Sequence, residues 1–362
     1  MIERLDDAAV YERLDPEDML GRIRDLPRQC RMAWEQARTF KLPASYWKVD
    51  RLVVLGMGGS AIAGDLVRSL AMRRSRKAVL VCRGYEMPGL VDENTLVAAC
   101  SYSGETEETL AAFSQALRGP AKKLVITTGG RLAGLAREYE IPHFLFEYRG
   151  EPRAALGYSL MPLLSVAEQV GVLRELEEEL EEEVAEAVTL MGELVPHLDT
   201  RTASDRNPAK RLAGQLQTKI PVVYGAESLT EVAHRWKTQL NENSKVWAFH
   251  EELPEAHHNA IVGYPLPREV IDRLHVVLLH HPLMHPRILL RYDATRDALT
   301  AAGVGYDEVE VQGGTPLSQM LTGILHGDFV SYYLAILNAV SPSPVSAITD
   351  LKRRLSDAPW PQ

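Results

Sequence analysis

The chain has 362 residues, 46% of them hydrophobic, with three cysteines and a formal net charge of −9 at neutral pH. That length suits two domains, each able to bury its own core, and the ordinary globular composition sets aside disorder and fibrous repeats. No stretch approaches the roughly 18–20 uninterrupted apolar residues of a membrane span, so no membrane partner is expected. The charged opening MIERLDDAAVYERLDPEDML lacks the apolar run of a secretory leader. Cys30, Cys82 and Cys100 show no CxxC or Cys/His spacing, which fits a reducing, cytoplasmic location.

The first fifty residues read as helix. Asp15 stands as a cap with Pro16 in the first helical position, and helical spacing runs from Met19 to Phe40. Short Val- and Leu-rich runs follow at 51–55, 78–82, 95–100, 123–127 and 143–146, separated by helical stretches such as Ile62–Met72 and Glu107–Leu117. Runs too short for helices and lacking polar alternation suit parallel strands buried on both faces. A doubly wound α/β domain over roughly 45–150 is therefore expected, with Cys82 and Cys100 as core residues closing two of its strands.

Residues 157–200 read as helix throughout, with Leu173, Leu176, Leu180, Val184 and Val188 along one face and glutamates on the other. Within it, residues 174–186 hold eight Glu and one Arg, a net of −7, leaving −2 for the rest of the chain. The protein is thus read as a near-neutral body with one solvated acidic connecting helix. A second α/β series follows, with strands at 220–224, 246–249, 275–280 and 307–311 and a long apolar helix near 319–340. The tail is a Ser341-Pro342-Ser343-Pro344 turn and a helix over Val345–Leu355. Each half opens strand–Gly–turn–helix, at Leu55-Gly56 and Tyr224-Gly225, which points to a duplicated domain. The expected division is N-terminal helices and first domain over 1–155, connecting helices over 156–210, second domain over 211–340 and tail over 341–362.

Two turns carry the chemistry. Gly56-Met57-Gly58-Gly59-Ser60-Ala61 lies between a strand and a helix and nearly matches the dinucleotide fingerprint GxGxxG/A. That reading needs a carboxylate at the end of the next strand, and Cys82-Arg83-Gly84 offers none, although Arg83 leaves an NADP site open. The same turn is also a general anion cradle of backbone N–H groups and helix dipole. Ser101-Tyr102-Ser103-Gly104-Glu105-Thr106 enters a helix as well. One hydroxyl there is explained by helix capping; three suit the oxygens of a phosphate monoester. Two such turns side by side favour a sugar-phosphate site.

These turns resemble the phosphosugar-binding loops of sugar isomerase (SIS) domains. Trp236-Lys237-Thr238-Gln239-Leu240-Asn241-Glu242-Asn243-Ser244-Lys245, Glu255-Ala256-His257-His258-Asn259 and the closing SPVSAITDLKRRL resemble, more specifically, the bifunctional phosphoglucose/phosphomannose isomerases. The resemblance implies two SIS-type doubly wound parallel-sheet domains, a homodimer, and a cofactor-free aldose–ketose isomerisation of glucose 6-phosphate and mannose 6-phosphate to fructose 6-phosphate. It implies that Gly59, Ser60, Ser101, Ser103 and Thr106 hold the phosphate and that Glu242 moves the proton between carbons 1 and 2. It further implies that Arg153 stabilises the enediolate and that His258, reaching in from the neighbouring subunit, opens the ring with Lys352 near the ring oxygen. Glu105 stands where the family's loop usually has Asn; facing the phosphate, it would weaken binding.

Elementary chemistry asks for the same parts: a positioned carboxylate for the carbon acid, a fixed cation for the developing oxyanion, and a histidine that exchanges protons near neutral pH. Taken singly, Glu242 reads as a loop carboxylate, Arg153 as a surface arginine and Lys352 as a solvated helix lysine. No metal is expected: His250-Glu251-Glu252-Leu253-Pro254 fails HExxH at Pro254, and His280, His281 and His285 lack a nearby carboxylate. Basic patches with interleaved aromatics, the mark of nucleic-acid binding, are missing. A non-catalytic phosphosugar sensor and an NADP-dependent oxidoreductase are the alternatives. The first would bind without turnover; the second would change nicotinamide fluorescence.

Overall fold

The computed structural model describes residues 2–173 and 177–358. Helices α1 (Ala8–Leu14), α2 (Met19–Arg24) and α3 (Leu26–Thr39) open the chain. Asp15 does cap, accepting from the amides of Met19 (2.8 Å) and Leu20 (2.9 Å), but Pro16 lies in the preceding turn and Asp18 is the residue next to the helix. The expected single helix is divided at Asp25, where Pro27 restarts it as the second residue of α3; proline is tolerated in a first turn because its missing N–H would be unpaired there anyway.

The first sheet is built from β1 (Arg51–Leu55), β2 (Ala78–Cys82), β3 (Thr95–Ser101), β4 (Lys122–Thr127) and β5 (His143–Leu145), with α4 (Gly58–Met72), α5 (Glu107–Leu117) and α6 (Gly130–Glu138) between them. Its order is β2-β1-β3-β4-β5 and every pairing is parallel. Both faces are buried: Val54 packs on α4 at Gly64, while Val53, Leu55, Val97 and Ala99 pack under Leu110 and Phe113 of α5 and Leu132 of α6. Cys30 and Cys100 are core residues, but Cys82, at the end of an edge strand, is only half-buried.

Helix α7 (Leu156–Gln169) ends before Gly171, whose φ of 73° is left-handed, and α8 (Glu177–Leu198) follows. The helix expected across 157–200 is therefore two helices, because glycine supplies a conformation that stops the first; residues 174–176 of that expectation lie outside the described residues. Nor is α8 merely solvated. Leu180, Val184, Ala187 and Met191 are buried, and three of its glutamates bond back to the protein: Glu181 to Trp34 Nε1 (2.9 Å), Glu183 to Arg74 (2.7 Å) and Glu186 to Thr315 Oγ1 (2.7 Å).

After α9 (Pro208–Leu216) the second sheet comprises β6 (Ile220–Ala226), β7 (Phe249–Leu253), β8 (Leu274–His280) and β9 (Gly305–Glu310), connected through α10 (Thr230–Glu242), α11 (Arg268–Ile271) and α12 (Pro286–Ala302). Its order, β7-β6-β8-β9, repeats that of the first sheet without the last edge, and it too is all parallel. The second strand of this half lies at 249–253 rather than 246–249. It is an edge strand reading FHEEL, and with one side open to solvent its position is set by pairing with β6 rather than by apolar residues.

Helix α13 (Pro316–Leu337) and the tail helix α14 (Ser346–Asp357) complete the chain. Among the described residues α13 has the length and apolarity to cross a membrane, and 94% of that stretch is buried inside the protein, so it is the central core helix. Trp236 of α10 lies against it, 1% exposed, donating Nε1–H to the Gly323 carbonyl at 2.8 Å. A Cβ at Gly327 would sit 2.2 Å from that indole nitrogen. Gly327→Ala must displace the tryptophan and is expected to cost about 1–3 kcal/mol, read as a lowered midpoint of unfolding.

Candidate active site

β1 and β3 are neighbours, but the chain proceeds from β1 to β2 on one side and from β3 to β4 on the other. With α4 on one face and α5 on the opposite face, the carboxyl ends of β1 and β3 open a crevice at the switch point of the sheet, where doubly wound folds bind ligands. Both sequence-selected turns border it. Gly56 donates to the Cys82 carbonyl (3.2 Å), and a Cβ there would lie 3.1 Å from the Cys100 carbonyl oxygen, so the first turn is pressed onto β3. Gly58 is left-handed at φ 48°. α4 then starts without a side-chain cap, which leaves its leading amides and positive dipole end directed at the crevice.

In the second turn, Ser101 Oγ lies 2.8 Å from Thr106 Oγ1 and accepts from the Gly104 amide (3.1 Å), while Ser103 Oγ accepts from the Glu105 amide (3.2 Å). Thr106 adjoins the start of α5 but makes no side-chain cap, so helix capping does not explain the hydroxyls. Gly104 has φ 67°, and a Cβ on it would come 1.9 Å from the Gly129 carbonyl oxygen; glycine is required. Glu105 turns onto α6, accepting from the Arg131 amide and Nε, each at 2.7 Å. Slight burial pushes its carboxyl up, but these two contacts outweigh it and hold the group below the usual range. Arg83, on which an NADP site would rest, donates instead to the buried Asp65.

Beside the first turn lies the segment of Glu151 to Ala154. A Cβ at Gly59 would stand 3.1 Å from the Pro152 carbonyl oxygen, so the cradle and Arg153 are in direct contact through backbone. Arg153 is a buried arginine, 3% exposed. Its Nε donates to Asn243 Oδ1 (2.6 Å), Nη2 to the carbonyls of Pro342 (2.7 Å) and Ser343 (2.8 Å), and Nη1 faces Glu242 Oε2 at 3.4 Å. Burial lowers its pKa from the free guanidinium's, while Glu242 and Glu151 oppose the shift. A polar layer braces the group from behind: Arg235 donates to the Arg153 carbonyl (2.6 Å) and pairs with Asp328 (3.3 Å), Gln239 donates to Asp328 (2.8 Å), and Asn243 donates to Ser331 (3.0 Å).

Glu242 is the last residue of α10 and partly exposed. One turn on, Lys245 sends its ammonium to the carbonyls of Glu242 (2.6 Å), Asn243 (3.3 Å) and Pro342 (3.0 Å). Burial first and the Arg153 charge second bring its pKa down to about 8. Sequence reasoning did not select Lys245, although it sits three residues beyond Glu242 in the same block.

The remaining two expected residues are not brought to this cluster within one chain. His258 is exposed, and among the described residues no hydrogen bond or ion pair joins it or Lys352 to Glu242 or Arg153. Its neighbour His257 is tied to Thr295 Oγ1 (2.8 Å) and Arg291 (3.2 Å). Lys352 rides on α14, which buries no residue and exposes Ile348, Leu351 and Leu355. Among the described residues Asp65, Glu231 and His234 bring possible metal-ligand atoms within 4.8 Å of one another. Arg83 and Arg68, the latter 2.6 Å from Glu231, already neutralise that group.

Residues 45–138 match the family model described as SIS domain, and residues 205–355 that described as bacterial phospho-glucose isomerase C-terminal SIS domain. The chain is 36% identical to the bifunctional phosphoglucose/phosphomannose isomerase of Caldicellulosiruptor bescii, over 94% of this chain and 99% of that one. It is also 36% identical to the enzyme of the same description from Thermoplasma acidophilum, over 85% and 90%. In fold it is similar to a hypothetical protein of Thermus thermophilus, with TM-score 0.71 at 19% identity over 99% and 95% of the two chains. At 36% identity over nearly the whole length of the first of these relatives, the chain belongs to the bifunctional phosphoglucose/phosphomannose isomerase family.

Proposed function

We propose that this chain interconverts glucose 6-phosphate and mannose 6-phosphate with fructose 6-phosphate through a cis-enediolate. The observation that carries the reading is the Glu242–Arg153 pair, 3.4 Å apart, beside a hydroxyl- and amide-lined cradle at the sheet's switch point. The phosphate is held by Gly59 and Ser60 at the start of α4 and by the hydroxyls of Ser101, Ser103 and Thr106. The Glu242 carboxylate takes the proton from carbon 2 of the open aldose. The C–H electrons form the carbon 1–carbon 2 double bond, and the aldehyde oxygen becomes an oxyanion facing Arg153. Returning that proton to carbon 1, while the hydroxyl proton on the oxygen of carbon 2 passes to the oxygen of carbon 1 and a C=O forms at carbon 2, gives the ketose. Glucose and mannose 6-phosphates share this enediolate, since they differ only at carbon 2.

Arg153 suits its role because burial fixes it. Its Nε and Nη2 donors are committed to Asn243, Pro342 and Ser343, so Nη1 is the end left toward Glu242 and the substrate. A preorganised donor of this kind stabilises developing charge without reorganising at the moment of reaction. Ring opening falls to His258, supplied across a homodimer, with Lys352 near the ring oxygen. That arrangement is supported by the exposure of His258 and by the uncovered apolar residues Ile348, Leu351 and Leu355 of α14.

Conversion of both aldose phosphates is measured by coupling fructose 6-phosphate formation to a downstream reporter; binding without turnover would refute the enzyme. Glu242→Gln is expected to lower kcat by about 10²–10⁴-fold with KM little changed, and turnover within a few-fold of wild type would exclude it as the base. Glu105→Gln should leave KM within about threefold, less than about 1 kcal/mol, because its carboxylate is engaged by Arg131. Mixing inactive Glu242→Gln with inactive His258→Asn chains should restore about a quarter of wild-type activity. Half the random dimers would then carry one intact site made from both chains; no recovery after verified exchange would place His258 in its own chain's site.

A further inference from the structure

We infer that Lys245 is a positioning residue for this reaction: its ammonium clamps the turn bearing Glu242 to the same carbonyl segment that holds Arg153. The inference rests on the isomerase reading given above. An ammonium has three N–H donors, and each has a carbonyl: Glu242 at 2.6 Å, Pro342 at 3.0 Å and Asn243 at 3.3 Å. Two of these close the end of α10, where carbonyls lack intrahelical partners and cations are favoured. The third, Pro342, also accepts from Arg153 Nη2 at 2.7 Å. One oxygen is thus shared by Lys245 and Arg153, and one side chain sets the spacing between the carboxylate's turn and the guanidinium.

The backbone is shaped for this contact. Lys245 has φ 58°, a left-handed conformation that glycine or asparagine adopts more readily than lysine. It folds the side chain back over the preceding turn, so that the ammonium meets the chain although much of the residue is exposed. The charged groups facing it are Arg153 from the segment beside the cradle, Glu242 from α10, and Glu151. Burial and the Arg153 charge bring the ammonium to a pKa of about 8, with Glu242 and Glu151 opposing. Above that pH the clamp loses its charge, and kcat/KM falls. The phosphate turns lie on other elements and keep their bonds, so removal of the ammonium acts on kcat rather than on KM.

Three variants of the full chain test this, each assayed for glucose 6-phosphate conversion from neutral to mildly alkaline pH, with unfolding midpoints measured in parallel. Lys245→Met removes the ammonium and keeps the left-handed side-chain-bearing residue; Lys245→Gly removes the ammonium and relaxes the backbone; Lys245→Arg keeps a cation. Misplacement of reacting groups by about 1 Å costs about 10²-fold, so Lys245→Met and Lys245→Gly should each lose about 10- to 100-fold in kcat with KM within about threefold. Lys245→Arg should recover part of that loss and move upward the alkaline limb of kcat/KM that the Lys245 pKa of about 8 leads one to expect in the wild type. A well-folded Lys245→Gly with kcat within about threefold of wild type, or an alkaline limb unmoved in Lys245→Arg, would overturn the positioning role while leaving the isomerase intact. Wild-type protein inactive toward both aldose phosphates would overturn the isomerase reading and this inference with it.

Discussion

A guanidinium buried to 3% exposure is held only if nearly every donor finds an acceptor, because an uncompensated buried charge is strongly destabilising. Arg153 meets that condition with groups that are far apart in the chain: the Asn243 amide oxygen, the Glu242 carboxylate, and the carbonyls of Pro342 and Ser343. The segment after the first sheet, the end of α10 and the start of the tail must therefore arrive at one point for the protein to be folded at all. The constraint that closes the fold also assembles the site. Arg235, Asp328 and Gln239 extend it inward, and α13, which carries Asp328 and Ser331, runs through the core.

The two halves meet through an antiparallel pair of corresponding helices. Arg68, late in α4, bonds to Glu231 at the start of α10, whereas Gly59 at the start of α4 lies against Pro152 and Arg153, and Arg153 reaches Glu242 at the end of α10. The positive end of one helix is thereby set beside the carboxylate-bearing end of the other. The repeated topology does not produce two equal cradles, however. In the second half the first turn reads Tyr224-Gly225-Ala226-Glu227, and Glu227, left-handed at φ 54°, pairs with Arg73 just past α4 (2.7 Å) and accepts from the His285 amide (3.3 Å). A carboxylate occupies the turn that would otherwise receive an anion. The two sheets share a strand order, yet the corresponding turn of the second half is taken up by a contact between the halves.

What was legible in the sequence follows from where each signal resides. Strands buried on both faces announce themselves as apolar runs, and β1, β3, β4 and β8 lie within a residue or so of their expected positions; β2 does too, because this edge strand keeps the apolar sequence AVLVC although it is only partly buried. β7 fails that test because an edge strand reading FHEEL has no apolar signature, while the more apolar VWAF beside it includes Trp247 at 72% exposure. The break near Gly171 was hidden by the continuous apolar spacing on either side. Of the site, the two turns were readable because glycine and hydroxyl residues perform their roles locally. Arg153 taken alone looked like a surface arginine, since its burial depends on residues 90 and 190 positions away. The carbonyls of Pro342 and Ser343 have no letter at all: any residue there would offer the same oxygen, and only the fold aims it.

The same logic explains how a chain of net charge −9 maintains a site suited to a phosphate. Much of the acidity sits on α8, and there Glu183 pairs with Arg74 and Glu186 accepts from the Gly314 amide and the Thr315 hydroxyl, both at 2.7 Å, at the start of α13. Burial pushes the Glu186 carboxyl up, but those bonds outweigh it and hold it below its usual range. The positive end of α13 is thus answered by a carboxylate of the protein itself. The start of α4 has no such carboxylate: its cap position is Met57, without a side-chain bond, and Asp65, farther along the helix, is paired to Arg83. Two helix starts with the same intrinsic polarity differ only in whether the chain satisfies them. The unsatisfied one is the start that favours the proposed dianion, because the local field of amides at a helix start acts within the first turn, while charges tied up in ion pairs elsewhere contribute little across a screened distance.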